Sequence, residues 1–118
     1  MAAKDVLGKS GELLAARFLE AHGYRVVARN WRCKQGEIDI IARRDGQTVF
    51  VEVKTRSSVE FGHPFEAVTV GKRARLRRLA GVWCEQMGSS SRGIRIDAIA
   101  VIAPSGERPT IEHLEGIF

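Results

Sequence analysis

Residues 36–56 read GEIDIIARRDGQTVFVEVKTR and contain the clearest structural signal in the chain. Asp45-Gly46 lies between two apolar runs, which is a strong signal for a β-hairpin with a two-residue turn. With those residues in the turn, Arg44 pairs with Gln47, and every pair farther from the turn follows from that one. The sequence therefore predicts two antiparallel strands in a fixed register.

That register places charged residues opposite one another. Asp39 faces Glu52, and Glu37 faces Lys54, and all four share one face because side chains alternate along a strand. Directly opposed Cβ atoms lie about 4.5–5.5 Å apart, and like charges at that distance destabilise a sheet. The pattern therefore predicts a cation between Asp39 and Glu52, although a solvated sheet face with chance ion pairs is the alternative.

The other face of the predicted hairpin is apolar and belongs to a core. The charged face also becomes apolar near the turn, where Ile41 opposes Phe50. The apolar pairs are Ile38 with Val53, Ile40 with Val51, and Ala42 with Val49.

Two carboxylates suit Mg²⁺ or Mn²⁺, since hard divalent cations prefer oxygen ligands and combine one or two carboxylates with substrate phosphate. Lys54, on the same face, would neutralise charge that grows on a phosphate. Glu37 is either a third ligand or only the cross-strand partner of Lys54. Glu12, on the flank of a predicted helix, by itself indicates a solvated helix residue but lies within reach of the site.

The rest of the chain alternates helices and strands. The order helix, three strands, helix, strand predicts an α/β sandwich around a mixed sheet, in a single domain of residues 1–118. Thr69 is the expected N-cap of the second helix, whose apolar stripe is Leu76, Leu79, Ala80, Trp83 and Met87. The predicted helices span 5–22 and 70–87. A strand at 24–31 precedes the hairpin, and a strand at 94–102 follows the second helix. Residues 57–68 are predicted to form a loop, and an edge strand is predicted near Ile111.

The composition favours a polyanionic partner. The 118 residues carry a formal net charge of +5, which is typical of proteins that bind nucleic acid but is not specific to them. No apolar run is long enough for a membrane helix, and no signal peptide is evident, so we expect a cytoplasmic protein without membrane contact. Cys33 and Cys84 lack metal or redox spacing and are expected to be free thiols.

Basic residues cluster on both sides of the hairpin. Lys72 lies in the first turn of the second helix, where a cation opposes the helix dipole unless a phosphate binds there. The candidates for contact with nucleic acid are Arg32, Arg56, Lys72 and Arg73.

At Asp39 and Glu52-Val53-Lys54 the chain resembles the PD-(D/E)XK nuclease superfamily, and more closely the YraN family of small bacterial proteins within it. Ile38 stands where the superfamily motif has proline. The residues that carry the resemblance are Gly11-Glu12, Ala15, Gly23-Tyr24, Arg29-Asn30, 36–39, 50–56, Phe61-Gly62, Lys72 and Arg95-Ile96-Asp97.

The resemblance implies a restriction-endonuclease-like α-β-β-β-α-β core and hydrolysis of a phosphodiester by a metal-activated water. It makes Asp39, Glu52 and the Val53 carbonyl the metal ligands. It makes Lys54 the catalytic lysine and Glu12 an accessory acid.

Three functions remain open on the sequence. The first is a Mg²⁺-dependent nuclease acting on DNA, including branched or flapped structures, for which a homodimer would suit duplex cleavage. The second is a non-catalytic nucleic-acid-binding protein on the same scaffold. The third is a small protein whose basic face docks an acidic subunit.

Overall fold

The structure is a computed structural model that describes residues 3–60, 62–89 and 93–117. Phe61, one of the residues behind the family resemblance, lies outside the described residues. The elements are α1 Ala3–Ala21, β1 Arg25–Cys33, β2 Gly36–Arg44, β3 Gln47–Arg56, a 3₁₀ helix Pro64–Ala67, α2 Val70–Gln86, β4 Ile94–Ile102 and β5 Thr110–Leu114.

The five strands form one mixed sheet in the order β1-β2-β3-β4-β5. Neighbouring strands are antiparallel except β3 and β4, which are parallel and are connected through α2. A parallel pair needs a long crossover, and α2 supplies it. The predicted α-β-β-β-α-β order is confirmed, with β5 as the additional edge strand.

The two helices cover opposite faces of the sheet. α1 buries Ala15, Ala16 and Leu19 against one face, and α2 buries its stripe against the other. The prediction for α2 is confirmed for four residues, which are buried: Leu76, Leu79, Ala80 and Trp83. Cys84 is buried as well. Met87 is 60% exposed, so its assignment to the core was wrong. It follows Gln86, the last residue of α2, and therefore lies beyond the helical stripe.

The hairpin turn forms as predicted. Asp45 and Gly46 have φ angles of 52° and 75°, which is the combination of a type I′ turn. Arg44 pairs with Gln47, Ala42 with Val49, Ile41 with Phe50 and Ile40 with Val51. Both faces are fully buried here, because Ile40 packs under α1 and Ile41 packs under α2.

No helix in the described part of the chain is both long and apolar enough to span a membrane.

Candidate functional site

Strands β2 and β3 separate at Asp39. Their backbone pairing ends at Ile40–Val51, and the Val53 N–H donates to Asp39 Oδ2 at 2.8 Å instead. The Asp39 carboxylate thus accepts the hydrogen bond that a backbone carbonyl of β2 would accept in a regular strand pair. The Asp39 side chain therefore lies in the gap between the two strands rather than squarely on one face.

The same place is irregular in β1. Asn30 lies between the pairs Arg29–Ile40 and Trp31–Ile38 and has φ 53°, which asparagine tolerates better than most residues. Ala28 and Trp31 are three residues apart, yet both pack against the cluster under α2. In a regular strand such residues face opposite ways, so β1 changes face once here.

Strand β2 changes face at the same level. Ile38 and Ile41 both pack under α2, whereas Ile40 and Val53 pack under α1. The prediction that Ile38 shares a face with Ile40 and Val53 was therefore wrong. Among the described residues of the hairpin, the predicted pairs of Asp39 with Glu52 and of Glu37 with Lys54 do not form either.

The displacement gathers an acidic cluster, defined here as Glu12, Glu37 and Asp39. One carboxylate oxygen from each lies within 4.8 Å of the others. With its amide oriented to satisfy both acceptors, Asn30 donates to Glu12 Oε1 at 2.7 Å and to Glu37 Oε1 at 3.1 Å. Asn30 therefore bridges the acid from α1 and the acid from β2.

A glycine lets α1 approach closely enough to bring Glu12 into the cluster. Gly11 is buried, and a Cβ atom at this position would overlap the side chain of Thr55 on β3. With no side chain in the way, the helix rests directly on the strand. Glu12, the next residue, is half-buried beside the gap and is not a solvated helix residue.

The basic groups around the cluster offset only part of its charge: Arg32 pairs with Glu37, and the charges of Arg29 and Lys9 lower the pKa of Glu12. Burial and the charge of Glu52 together raise the pKa of Asp39 to about 7, and the hydrogen bond from the Val53 N–H opposes the increase. Burial and the charge of Glu37 also raise the pKa of Glu12. Like charges held together in a partly dry site favour a bound cation or a proton.

Glu52 and Lys54 form an ion pair next to this cluster. Lys54 Nζ lies 3.1 Å from Glu52 Oε1, and both side chains are largely buried. Their neighbours on β4 are Ala98 and Ala100, which are small and leave space for the longer side chains. Glu52 is close enough for its charge to act on Asp39 and Glu12.

The structure brings the predicted residues together but in a different arrangement. We expected Asp39, Glu52 and the Val53 carbonyl to be the ligands. The close group of carboxylates is instead Glu12, Glu37 and Asp39. Glu52 is paired with Lys54, and Glu37, for which both a ligand role and a pairing with Lys54 were open, lies with the carboxylates and 3.4 Å from Arg32.

A cavity of about 440 Å³ opens onto the cluster, and Glu12, Asp39, Val53, Thr55 and Arg56 are among the residues that line it. Three carboxylate oxygens at this spacing are a donor set that fits Mg²⁺ or Mn²⁺. The remaining volume leaves room for waters and a phosphate group, which Mg²⁺ sites commonly retain.

The four basic candidates have different positions. Arg56 lines the cavity, and Arg32, whose side chain is 76% exposed, lies at the edge of the cluster beside Glu37. Lys72 is half-buried in the first turn of α2, where its N–H donates to the N-cap Thr69 at 3.3 Å. Arg73 is tied to the C-terminal segment, since its Nη1 donates to the Ile117 carbonyl at 3.0 Å.

Asn30 is the site residue for which the sequence predicted no role. Its signal in the sequence is an asparagine within an otherwise regular strand, since asparagine is enriched at left-handed backbone positions. That signal indicates an irregularity in the strand, but it does not predict which carboxylates the Asn30 amide will bind.

A second buried aspartate lies outside the site. Asp97 accepts hydrogen bonds from Arg95 Nε at 2.9 Å and Nη2 at 2.8 Å and from the Gly116 N–H at 3.0 Å. His113 Nε2 lies 2.6 Å from its Oδ2. These contacts are those of a structural ion-pair partner rather than of a metal ligand.

The fold resembles that of a known nuclease. The chain aligns with a repair endonuclease from Pyrococcus abyssi at a TM-score of 0.50 and 15% identity, over 90% of this chain and 41% of that one. The predicted restriction-endonuclease-like fold is confirmed.

The sequence matches curated relatives along almost its whole length. A UPF0102 protein of Leifsonia xyli subsp. xyli is 55% identical over 117 residues, covering 99% of both chains. A UPF0102 protein of Beutenbergia cavernae is 55% identical over 118 residues, again covering 99% of both. The family model described as "Uncharacterised protein family UPF0102" matches residues 11–101. The resemblance to the YraN family is thereby confirmed, and the chain belongs to Uncharacterised protein family UPF0102.

Proposed function

We propose that this protein is a metal-dependent nuclease that hydrolyses phosphodiester bonds in DNA. The observation that carries the proposal is the gap between β2 and β3, where the acidic cluster meets the Glu52–Lys54 pair. A fold shared with a repair endonuclease supports the same reaction class but does not assign it.

The acidic cluster would hold a divalent cation, with Glu52 as a further acid close to it. When bound, such a cation supplies Lewis acidity to a phosphodiester and lowers the pKa of a water. The raised pKa of Asp39 supports this role, because a cation would offset the repulsion that holds its proton.

Lys54 supplies positive charge on the strand that carries Glu52. Its ion pair with Glu52 fixes the position of the ammonium group, which would stabilise charge that develops on the phosphate. Preorganised groups of this kind act mainly in the transition state. Arg56, in the lining of the cavity, is suited to a contact with an adjacent phosphate.

Single-turnover cleavage with Mg²⁺ or Mn²⁺ tests the proposal on a panel of duplex, single-stranded, flapped, four-way-junction and RNA substrates. Asp39→Asn and Glu52→Gln should abolish cleavage. Lys54→Ala should lower the rate at saturating protein by roughly 10²–10³, as the loss of one preorganised charge does, with little effect on affinity. Lys34→Ala, which removes an exposed lysine from the β1–β2 connection, is the matched control and should cleave normally.

Two results would contradict these assignments. If the wild-type protein binds DNA tightly and cuts no substrate of the panel, the non-catalytic binding function on this scaffold replaces the nuclease. If Lys54→Ala cuts as fast as the wild type, the role given to Lys54 is wrong even for an active enzyme.

A further inference from the structure

The turn end of the hairpin carries a basic site that the acidic cluster does not use. A cavity of about 580 Å³ lies there, and its lining includes Arg25, Arg43, Arg44, Thr48 and Ser89. The lining contains one acid, Asp45, whose side chain is 91% exposed and lies 3.7 Å from Arg44 Nε. The cavity therefore has an excess of positive charge.

Two of these arginines are opposed across the sheet. Arg25 on β1 pairs directly with Arg43 on β2, and Arg43 pairs with Thr48 on β3. Directly opposed residues share a face, and like charges in that position destabilise a sheet. The arginine row, defined here as Arg25 and Arg43, therefore mirrors the acidic cluster with the opposite sign.

In the described part of the chain, the charges of the arginine row have no neutralising partner. Arg44 has partners, since it donates to the His22 carbonyl at 3.2 Å and stacks 4.3 Å from the Tyr24 ring centroid. Arg43 stacks at 5.7 Å over Trp83, which orients its guanidinium without neutralising it. Within the described residues, neither Arg25 nor Arg43 has a hydrogen bond or an ion pair with a carboxylate.

We propose that the arginine row binds a phosphate of the polynucleotide backbone, as a contact separate from the acidic cluster. This inference rests on the proposed action on nucleic acid. A guanidinium fork matches phosphate oxygens in a bidentate way, and the lining also includes two residues with hydroxyl groups, Thr48 and Ser89. A phosphate placed there would remove the repulsion between the opposed arginines.

The row lies on the face of the sheet that α2 covers, since Arg43 stacks over Trp83. Glu12 of the acidic cluster comes from α1, on the other face. The contact is therefore separate from the bond at the acidic cluster.

Salt-dependent binding tests the contact directly. Anisotropy with a labelled 20-base-pair duplex, in Ca²⁺ at 50–200 mM KCl, should give each of Arg25→Gln and Arg43→Gln a lower salt slope and weaker binding than the wild type. The double variant, which loses the whole phosphate contact, should have a salt slope lower by about one and an affinity loss of roughly eightfold at 0.1 M salt. Arg108→Gln, at an exposed position between β4 and β5, removes the same charge and should change neither quantity.

Arg25→Gln is the safer variant because Arg25 is exposed. Thermal unfolding of each variant checks that the fold is retained. Equal slopes for Arg25→Gln, Arg43→Gln and Arg108→Gln in folded proteins overturn the proposal.

A separate arm distinguishes the backbone phosphate from free phosphate. Thermal shifts with inorganic phosphate alone, compared in the wild type and in the double variant, report binding of the free ion. A shift that the double variant loses, together with unchanged DNA binding, would mean that the row binds a free anion and would overturn the assignment to polynucleotide.

Cleavage separates this inference from the proposed function. At saturating protein the double variant should cut at the wild-type rate, whereas Asp39→Asn should bind and not cut. If no protein cuts any substrate, the nuclease proposal fails while the salt slopes still decide the arginine row.

Discussion

Asp39 and Asp97 lie on strands of one sheet, and their surroundings are opposite. Asp97 is fully buried and is held by Arg95, His113 and the Gly116 N–H. Within the described residues, Asp39 has one hydrogen bond, from the Val53 N–H, and three acids nearby. Burial raises the pKa of both groups, but hydrogen bonds from His113 and Arg95 leave the pKa of Asp97 below its usual value, whereas the pKa of Asp39 is about 7.

The difference teaches how a structural carboxylate is told from a functional one. Evolution of a stable fold supplies a buried charge with partners from the chain itself, as around Asp97. A buried acid left among other acids lowers the stability of the free protein, and it persists where a ligand compensates for it. Substitutions of these aspartates and of a neighbouring ion-pair residue, one at a time, test this distinction.

The largest effect is expected at Asp97. Asp97→Asn removes the charge that balances Arg95, whose side chain is itself mostly buried. Breaking a buried pair in this way costs about 3–5 kcal/mol of unfolding free energy. Urea denaturation at pH 7 measures the loss, and Asp45→Asn, at an exposed position, should stay within about 0.5 kcal/mol of the wild type. A small loss for Asp97→Asn would remove the distinction between the two aspartates.

Asp39→Asn should change the unfolding free energy in the opposite direction, toward greater stability. Since the folded-state pKa of Asp39 lies above the unfolded value, its contribution to stability is full below pH 4 and is lost as the pH rises to about 7. In metal-free buffer at pH 8 the variant should be more stable than the wild type by up to ~4 kcal/mol.

The pH dependence gives the sharper readout. The difference between Asp39→Asn and the wild type should grow between pH 4 and 7 and then level off. Asp97, whose pKa is lowered, stabilises the fold above its unfolded pKa and loses that contribution as the pH falls. A difference curve for Asp39→Asn that is flat across this range contradicts the account of the acidic cluster.

Metal should produce a smaller, reversible stabilisation. At pH 8, Mn²⁺ at ten times its Kd should raise the unfolding free energy of the wild type by about 1.4 kcal/mol through binding to the folded state. Calorimetric titration gives the Kd, and Asp39→Asn should lose the effect. Asp45→Asn should keep it, and an equal response from Asp39→Asn would place the metal elsewhere.

The smallest effect is expected at Arg32. Its ion pair with Glu37 is 3.4 Å long and its side chain is 76% exposed, so solvent screens the interaction. Arg32→Gln should change the unfolding free energy by less than about 0.5 kcal/mol. A loss comparable to that of Asp97→Asn would mean that the acidic cluster already has a strong partner within the chain.

The fold was predictable because local signals agreed with one another. Asp45-Gly46 fixed the turn, and the apolar alternation from Ile40 to Val51 fixed the register beside it. Thr69 accepts a hydrogen bond from the Lys72 N–H, as expected of the N-cap of α2. Each of these features depends on residues a few positions apart, which is the range over which sequence patterns are reliable.

The arrangement of the site was only partly predictable. Extending the regular register to Asp39 placed it opposite Glu52 and put Ile38 on the wrong face. The positive φ of Asn30 and the change of face in β1 and β2 caused the difference. One irregular residue reverses the facing of every residue beyond it, and neither Gly36 to Asp39 nor Glu52 to Lys54 carries a sign of it.

The amino-acid sequence was enough to predict the family, the order of elements and which acids and lysine lie near the open end of the hairpin. Which acids approach one another depends on the packing of separate elements. The close contact of Gly11 with Thr55 brought in Glu12, the gap between β2 and β3 turned Asp39 toward the Val53 N–H, and Lys54 paired with Glu52. The physical reason is that charge interactions depend on distances of a few ångström between separate elements, and those distances are set by packing and strand irregularities rather than by spacing along the chain.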